Sequence, residues 1–304
     1  MLRRGKEEDK KVIFDIYAKS GMLNLYDQDD YFSDSFCAEN VIVNEINGHV
    51  AASLQVNYHT MMFNERKIIT GVVFGQFFER NKGVKALETL RNEVFDQQKY
   101  KTLFTLIPTD NEQEYSKYGF DAIYQKRIYQ ITSKDLSNIS YSNVGKQFES
   151  DDLLKVYKDF TQRFNGYLLR DKQYYLDLID WLQSKRYNLA VYYSDDNVCQ
   201  GYMIYSIESN KVAVREIIYL NGSALTQLLS YGLKIKPKLD VYVSQSEDLS
   251  RAYPKVSYKQ VAAMAVRIND LELFNKLFGT NVTDTVTGYK INERPLFISD
   301  LRYR

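Results

Sequence analysis

The chain is poor in the residues that build metal centres and covalent frameworks, with two cysteines and two histidines among 304 residues. Cys37 and Cys199 lie far apart without a C-x-x-C partner, and His49 and His59 complete no ligand set. Neither a disulfide framework nor a metal site is expected. Charge of one sign is missing too, since 40 basic and 39 acidic residues leave a net charge of +1. No nucleic-acid partner is indicated. No apolar run approaches the roughly 18 to 20 residues of a membrane span, and the N-terminus lacks the apolar core of a signal peptide. A cytoplasmic protein without a membrane partner is expected. Two nucleotide signatures are also absent, G-x-G-x-x-G and G-x-x-x-x-G-K-[ST], which removes the Rossmann and P-loop classes.

Tyrosine is abundant, at 26 residues against one tryptophan. Such a composition suits wet, amphipathic pockets and interfaces, although low-GC codon usage produces the same bias. The length fits two domains with a further fragment.

Helical periodicity runs over residues 7–19 through Val12, Ile13, Ile16 and Tyr17, with Gly21 placed to end it. An acidic and aromatic stretch follows, in which Asp27, Asp29, Asp30 and Asp34 alternate with Tyr26, Tyr31 and Phe32. Segments 41–46 and 49–56 flank Asn47-Gly48, the strongest short hairpin signal, and Asn64-Glu65 marks a second turn. This meander leads into a β-branched run over 67–74, a basic turn, and an amphipathic helix to about residue 98. A strand over 100–107, a short helix over 111–118 and a strand over 122–132 complete a first unit, residues 1–132. A Ser- and Asn-rich linker over 133–147 precedes a second unit, residues 148–253. It repeats part of the order: helices over 151–164 and 170–185, strands over 188–193, 200–208 and 211–219, a helix over 223–235, and a strand over 238–243. Residues 255–304 hold a strand-like run over 263–268, a helix over 270–278 and the apolar Leu296-Phe297-Ile298. That is too little for a separate core, and enough to seal a groove between the two units. The predicted class is α+β, two tandem units of mixed, mostly antiparallel sheet flanked by helices, plus a short C-terminal remnant.

The turn Arg80-Asn81-Lys82-Gly83-Val84 stands between strand and helix. Such a turn aims backbone N–H groups and the positive helix end at one point, and a pyrophosphate is its natural occupant. An ordinary β-α loop with solvated charges is the alternative. Downstream lies Tyr115-Ser-Lys-Tyr-Gly-Phe120, where Tyr115 is either a proton donor or a ring packed beside Tyr118 and Phe120. His59 reads as a packed or edge histidine.

Together these two segments resemble the GNAT acetyltransferases, specifically the tandem-GNAT "enhanced intracellular survival" (Eis) family. The resemblance covers nearly the whole chain and is strongest over 67–120. It implies acetyl-CoA as cosubstrate, with pantetheine along Val72, Val73 and Phe74 and pyrophosphate held by Arg80, Asn81, Lys82, Gly83, Val84 and Lys85. Tyr115 corresponds to the family's general acid, and its general base, the terminal carboxylate, falls here on Arg304. Asp27 and Asp30 lie where the family lines its acceptor pocket, and carboxylates would attract an aminoglycoside-like, polyamine or lysine amine. Self-association into a homo-oligomer is left open. The second unit, whose strand–helix junction is Tyr219-Leu-Asn-Gly222-Ser, corresponds to the family's inactive GNAT domain. Its family-like residues are Gly166, Arg170, Tyr174, Tyr175, Gly201, Tyr202 and Glu216. Residues 255–304 then correspond to a trimmed sterol-carrier-protein-like domain. Where the family carries V-A-T-x-P, this chain has Val73-Phe74-Gly75-Gln76-Phe77-Phe78-Glu79, and Glu79 would repel phosphates. The alternative reading is therefore a degenerate member that binds a ligand or partner without turnover.

Overall fold

Two primed turns organise the start of the sheet. In the computed structural model, which describes residues 1–20, 31–80, 83–111, 113–136, 139–184 and 187–299, strand β1 (Leu2–Arg4) pairs with β2 (Val41–Ile46). Asn47 (φ 53°) and Gly48 (φ 79°) join β2 to β3 (His49–Phe63), and Asn64 (φ 46°) with Glu65 (φ 64°) joins β3 to β4 (Arg66–Phe78). Left-handed backbone at both central residues matches the twist of the flanking strands, so hairpin register is set locally.

Helix α1 (Asp9–Ser20) packs on one face of this meander through Ile13, Ile16 and Tyr17. Helix α2 (Gly83–Gln98) packs on the other through Ala86, Leu87, Leu90 and Val94. The chain returns as β5 (Phe104–Pro108), parallel to β4. The helix predicted over 111–118 is replaced by a turn ending in the 3-10 segment Ser116–Tyr118, which Gly119 terminates at φ 79°. No apolar stripe runs through Asn111–Ser116 to hold a helix there.

The second half repeats the pattern. After β6 (Asp121–Thr132) come the two-residue strand β7 (Val144–Gly145), α3 (Ser150–Thr161), β8 (Tyr167–Leu168) and α4 (Lys172–Ser184). Strands β9 (Tyr187–Tyr193), β10 (Cys199–Ile207) and β11 (Val212–Tyr219), helix α5 (Gly222–Ile235) and strand β12 (Lys238–Ser244) follow. The chain continues as β13 (Tyr258–Ile268), α6 (Leu271–Phe278) and α7 (Thr285–Tyr289). Strand β13 begins five residues before the run the sequence suggested.

All of these strands belong to one sheet, ordered β1-β2-β3-β4-β5-β13-β6-β12-β11-β10-β9-β7, with β8 pairing on β3. The closing strands are exchanged. Strand β6 leaves the first half to pair with β12, and β13 crosses back to pair with β5 as well as β6. Helices α6 and α7 go with β13, and Phe274 and Tyr289 are buried against Phe63 and Phe104 of the first half. The described C-terminal residues thus form no core of their own; Phe274, Tyr289 and Ile298 complete the first half's core.

The segment beyond α7 runs along the seam. Asn165 N–H donates to the Pro295 carbonyl (2.9 Å) and Phe297 N–H to the Asn165 carbonyl (3.0 Å). Leu296 and Ile298 face the core shared with α1, whereas Phe297 stacks on Phe164, 5.0 Å between centroids, in the core of α3 and α4.

Candidate functional site

In the first half, β4 and β5 pair from Thr70↔Phe104 to Val72↔Leu106 and then part. The cause lies in β4 itself. Register against β3 slips between Ser53↔Phe77 and Gln55↔Phe74, so Gly75 and Gln76 together oppose Leu54, a bulge at which Gly75 takes φ +60°. A bulge bends its strand and re-aims side chains. Here it turns Gln76 toward α2, while on the opposite face the Tyr31 ring lies within 2.5 Å of where a Gly75 Cβ would be. Glycine is therefore required at this position on two counts, backbone and space.

Gln76 Nε2 donates to the Tyr115 hydroxyl at 3.0 Å, and Gln76 Oε1 accepts from Arg91 Nε at 2.7 Å. Arg91, from the middle of α2, also reaches the Tyr115 hydroxyl (3.2 Å) and Glu114 (3.0 Å), and its guanidinium lies 4.8 Å from the centre of the Tyr115 ring. Two donors, a guanidinium and an amide, thereby fix the position of the phenol oxygen. Tyr115 is thus buried and oriented at the point where β4 and β5 part. Sequence reading singled out Tyr115 but missed Gln76 and Arg91. The four-residue spacing from Arg91 to Phe95, which puts both on the sheet-facing side of α2, was the available signal.

The predicted cofactor residues divide into three groups. Val72, Val73 and Phe74 are buried in β4 at and just past the end of its pairing with β5. Arg80, Val84 and Lys85 are exposed around the start of α2, whose first-turn N–H groups have no acceptor within the helix. Gly83 is buried: a Cβ there would sit 2.7 Å from Phe78 Cβ and 2.8 Å from the Ala51 carbonyl, and its N–H donates to the Glu79 carbonyl at 2.8 Å. Its missing side chain serves the close approach of α2 to the sheet. Asn81, Lys82, Asp27, Asp30 and Arg304 lie outside the described residues.

On the α1 face of the same bulge, Tyr31 donates to Gln55 Oε1 (2.9 Å) and packs edge-on against Phe32, Phe74 and Phe77. This aromatic wall, not a carboxylate, is what the described residues place there.

In the second half β11 and β12 likewise pair from Val212↔Leu239 to Val214↔Val241 and part, with a bulge at Arg215. The family-like residues Arg170, Tyr174, Tyr175, Tyr202 and Glu216 come together at this split. Arg170 grips Glu216 with two bonds of 2.9 and 2.7 Å, both side chains being almost wholly buried. Tyr202 donates to Glu216 (3.1 Å) and shares a hydrogen bond with Tyr175 (3.0 Å). The guanidinium stacks over Tyr157 and Tyr174 at 4.1 and 4.5 Å. Ser299 closes the group, its hydroxyl donating to Glu216 (2.5 Å) and its carbonyl accepting from Arg170 (2.6 Å). Burial opposes ionisation of Glu216, yet the Arg170 charge and the bonds from Arg170, Ser299 and Tyr202 outweigh it and hold the carboxyl below its ordinary range. Burial pushes the Tyr175 phenol up to about 12. Helix α5 caps itself, the Asn221 side chain accepting from Ala224 N–H at 2.9 Å.

A separate groove of 680 Å³ lies at the far end of α2, floored by Leu2, Ile42, Val56 and Val94. Its rim mixes both signs, Arg3, Arg4 and Lys101 with Glu39 and Glu93, and Arg3 there is already engaged by Asp9 and Glu45. Among the described residues no group of His, Cys, Asp or Glu is placed to hold a metal, and no helix is long and apolar enough to cross a membrane.

The fold is the α+β GNAT fold. The sequence profile of the acetyltransferase (GNAT) domain matches residues 166–268, about a third of the chain, and this stretch spans the second-half split and β13. No curated protein matches the chain in sequence. Among solved structures it is similar to a probable N-acyltransferase from Enterococcus faecalis, 17% identical with a TM-score of 0.71 over 89% of this chain and 72% of that one. It is similar also to a GCN5-related N-acetyltransferase from Anabaena variabilis, 15% identical with a TM-score of 0.72 over 89% of this chain and 73% of that one. Eis1 from Mycobacterium abscessus is 12% identical, with a TM-score of 0.65 over 90% of this chain and 75% of that one.

Proposed function

We infer that the protein is an N-acyltransferase that moves an acetyl group from acetyl-CoA to a primary amine, with residues 1–132 carrying the site. Residues 148–253 serve as a cofactor-free second unit, and 255–304 close the seam. The observation that carries this reading is the Tyr115 hydroxyl, held by Gln76 and Arg91 where β4 bulges away from β5. Support for the cosubstrate comes from the edge of β4 that β5 leaves beyond Val72, followed within a few residues by the N-terminus of α2, with Arg80 and Lys85 exposed beside it. Bound there, acetyl-CoA would supply an electrophilic thioester carbon. A backbone N–H on this edge of β4, from Val73 or Phe74, would polarise its carbonyl, and the first turn of α2 would face the pyrophosphate.

The acceptor amine attacks that carbon in its neutral form, the C–S bond breaks, and Tyr115 gives its phenolic proton to the departing sulfur. The terminal carboxylate of Arg304 is the family-derived candidate for removing the amine's proton. Asp27 and Asp30 remain the proposed attraction for a cationic acceptor. A second reading, ligand binding without turnover, is favoured by Glu79, exposed at the end of β4 beside the proposed phosphate site.

The deciding experiment pairs a coenzyme A thermal-shift titration with thiol release from acetyl-CoA in the presence of a polyamine. A saturable rise in melting temperature is expected, because a ligand of the folded state stabilises it by mass action. Tyr115→Phe should keep that shift and lose about two to four orders of magnitude in turnover. A shift without thiol release in the wild type selects the binding protein; no shift at all removes the acetyl-CoA-dependent reading and leaves binding of another ligand or partner.

A further inference from the structure

The strand exchange brings a residue of the C-terminal half into the scaffolding of the Tyr115 site. Arg267, on β13, donates through Nη1 to the Tyr118 carbonyl at 3.2 Å, through Nη2 to the Phe95 carbonyl, and through Nε to Asn269 Oδ1 at 3.0 Å. Its guanidinium also lies over the rings of Phe120 and Phe95, 5.1 and 5.7 Å from their centres. Among the described residues no carboxylate forms an ion pair with it. Asp96 acts on it only at a distance and is itself paired with Lys99, so a partly buried cation of this kind is costly to keep and its contribution must come from geometry. The rigid fork of donors can bridge carbonyls that a lysine or an apolar chain cannot.

Those carbonyls belong to the two elements that build the site. Phe95 lies one helical turn beyond Arg91 on α2, and Tyr118 lies in the turn that starts at Tyr115. Asn269, the third partner, anchors the same corner from below, donating to the Thr102 carbonyl and Thr105 hydroxyl at 2.9 Å each. Ala265, two residues before Arg267, packs in the core that contains Tyr115 and Phe120.

We propose that Arg267 is a positioning residue for Tyr115: by tying the last turn of α2 and the Tyr115–Gly119 turn to one exchanged strand, it sets the distance between Arg91 and the Tyr115 hydroxyl. The catalytic consequence rests on the acyltransfer reading above; the geometric claim does not. The first half's site is thereby composite, and neither half of the chain assembles it alone.

The test places 3-fluorotyrosine at position 115 and follows its fluorine resonance in the wild type, Arg267→Lys, Arg267→Met and a control, Leu228→Ala, a buried residue of α5 in the other half. Turnover is measured on the same proteins. Arg267→Met should displace the resonance and lower kcat by about 10²-fold, the order expected for an ångström-scale misplacement, with little change in KM for acetyl-CoA. Arg267→Lys should fall between, since an ammonium reaches only one of the carbonyls, and it serves where the methionine variant does not fold. Leu228→Ala should lower the melting temperature while leaving the resonance and kcat in place. An unmoved resonance in the folded Arg267 variants overturns the proposal, as does an equal movement in Leu228→Ala. A wild type without turnover defeats the acyltransfer reading, and the fluorine resonance still decides the positioning.

Discussion

In the first half the parallel pair β4–β5 parts after Val72, and the split is lined by neutral or singly charged groups, Gln76, Arg91 and Tyr115. In the second half β11–β12 parts after Val214, and a buried ion pair, two tyrosine hydroxyls and Ser299 from the chain's last described segment fill the gap. Around the start of α2, Arg80 and Lys85 are exposed; at the start of α5, Asn221 caps the helix. One topology thus yields a split lined by a small polar group, Gln76, Arg91 and Tyr115, and a split filled by a buried ion pair. What separates them is the charge that fills each and how completely it is buried.

The comparison can be broken most forcefully at Glu216. Replacing Glu216 by Gln leaves Arg170 buried without its counter-charge and should cost about 3–5 kcal/mol, read as a fall in melting temperature, with the coenzyme A shift retained. Converting the pair together, Arg170→Met with Glu216→Leu, should restore much of that loss, since apolar side chains fill such sites well. If Glu216→Gln instead abolishes the coenzyme A shift at unchanged stability, the second split is the ligand site and the assignment of the halves must be reversed.

A smaller effect is expected at Arg91. Arg91→Met removes one donor to Tyr115 and the cation over its ring, and kcat should fall about 10- to 100-fold, with a stability loss of about 1–3 kcal/mol because the side chain is largely withdrawn from water and Gln76 and Tyr115 lose its hydrogen bonds. Equal turnover would show that Gln76 alone orients the phenol.

Acid sharpens the contrast next. Glu216 is held below its ordinary range in the folded state. A depressed folded-state value means that the stabilisation is complete above the unfolded-state value, about 4.3, and is lost as pH falls through the lower folded value. The wild type should therefore lose melting temperature below about pH 4 more steeply than Glu216→Gln, whose remaining carboxylates supply the common background. Parallel curves would remove the ion pair from the acid response.

The smallest change is Asn221→Ala, which deletes the cap of α5 and should cost about 1 kcal/mol without altering coenzyme A binding. Gly83→Val, by contrast, is a poor probe of phosphate approach. A Cβ at Gly83 meets the Ala51 carbonyl at 2.8 Å, so the variant should lose stability by about 1–3 kcal/mol whether or not a ligand binds. Lys85→Glu is the cleaner probe, expected to weaken coenzyme A binding by about tenfold with stability nearly unchanged.

Local chemistry made much of this legible from the amino acids alone. Asn47-Gly48 and Asn64-Glu65 specify primed turns by their tolerance of left-handed backbone, and the β4–turn–α2 sequence switches from period two to period 3.6 within a dozen residues. The resemblance to known acetyltransferases likewise picked out Tyr115 in one half and Arg170, Tyr202 and Glu216 in the other, which the fold then assembles. What the chain could not announce is everything that joins distant residues. The exchange of β6 and β13 pairs segments more than 100 positions apart, and no periodicity encodes which of two similar edges a strand will choose. Arg267 reads as an ordinary strand arginine until β13 lies beside β5, and Phe297 as an ordinary tail residue until it stacks on Phe164. Tertiary structure decided these because partner choice depends on the summed burial of both halves, a quantity no local window of sequence contains.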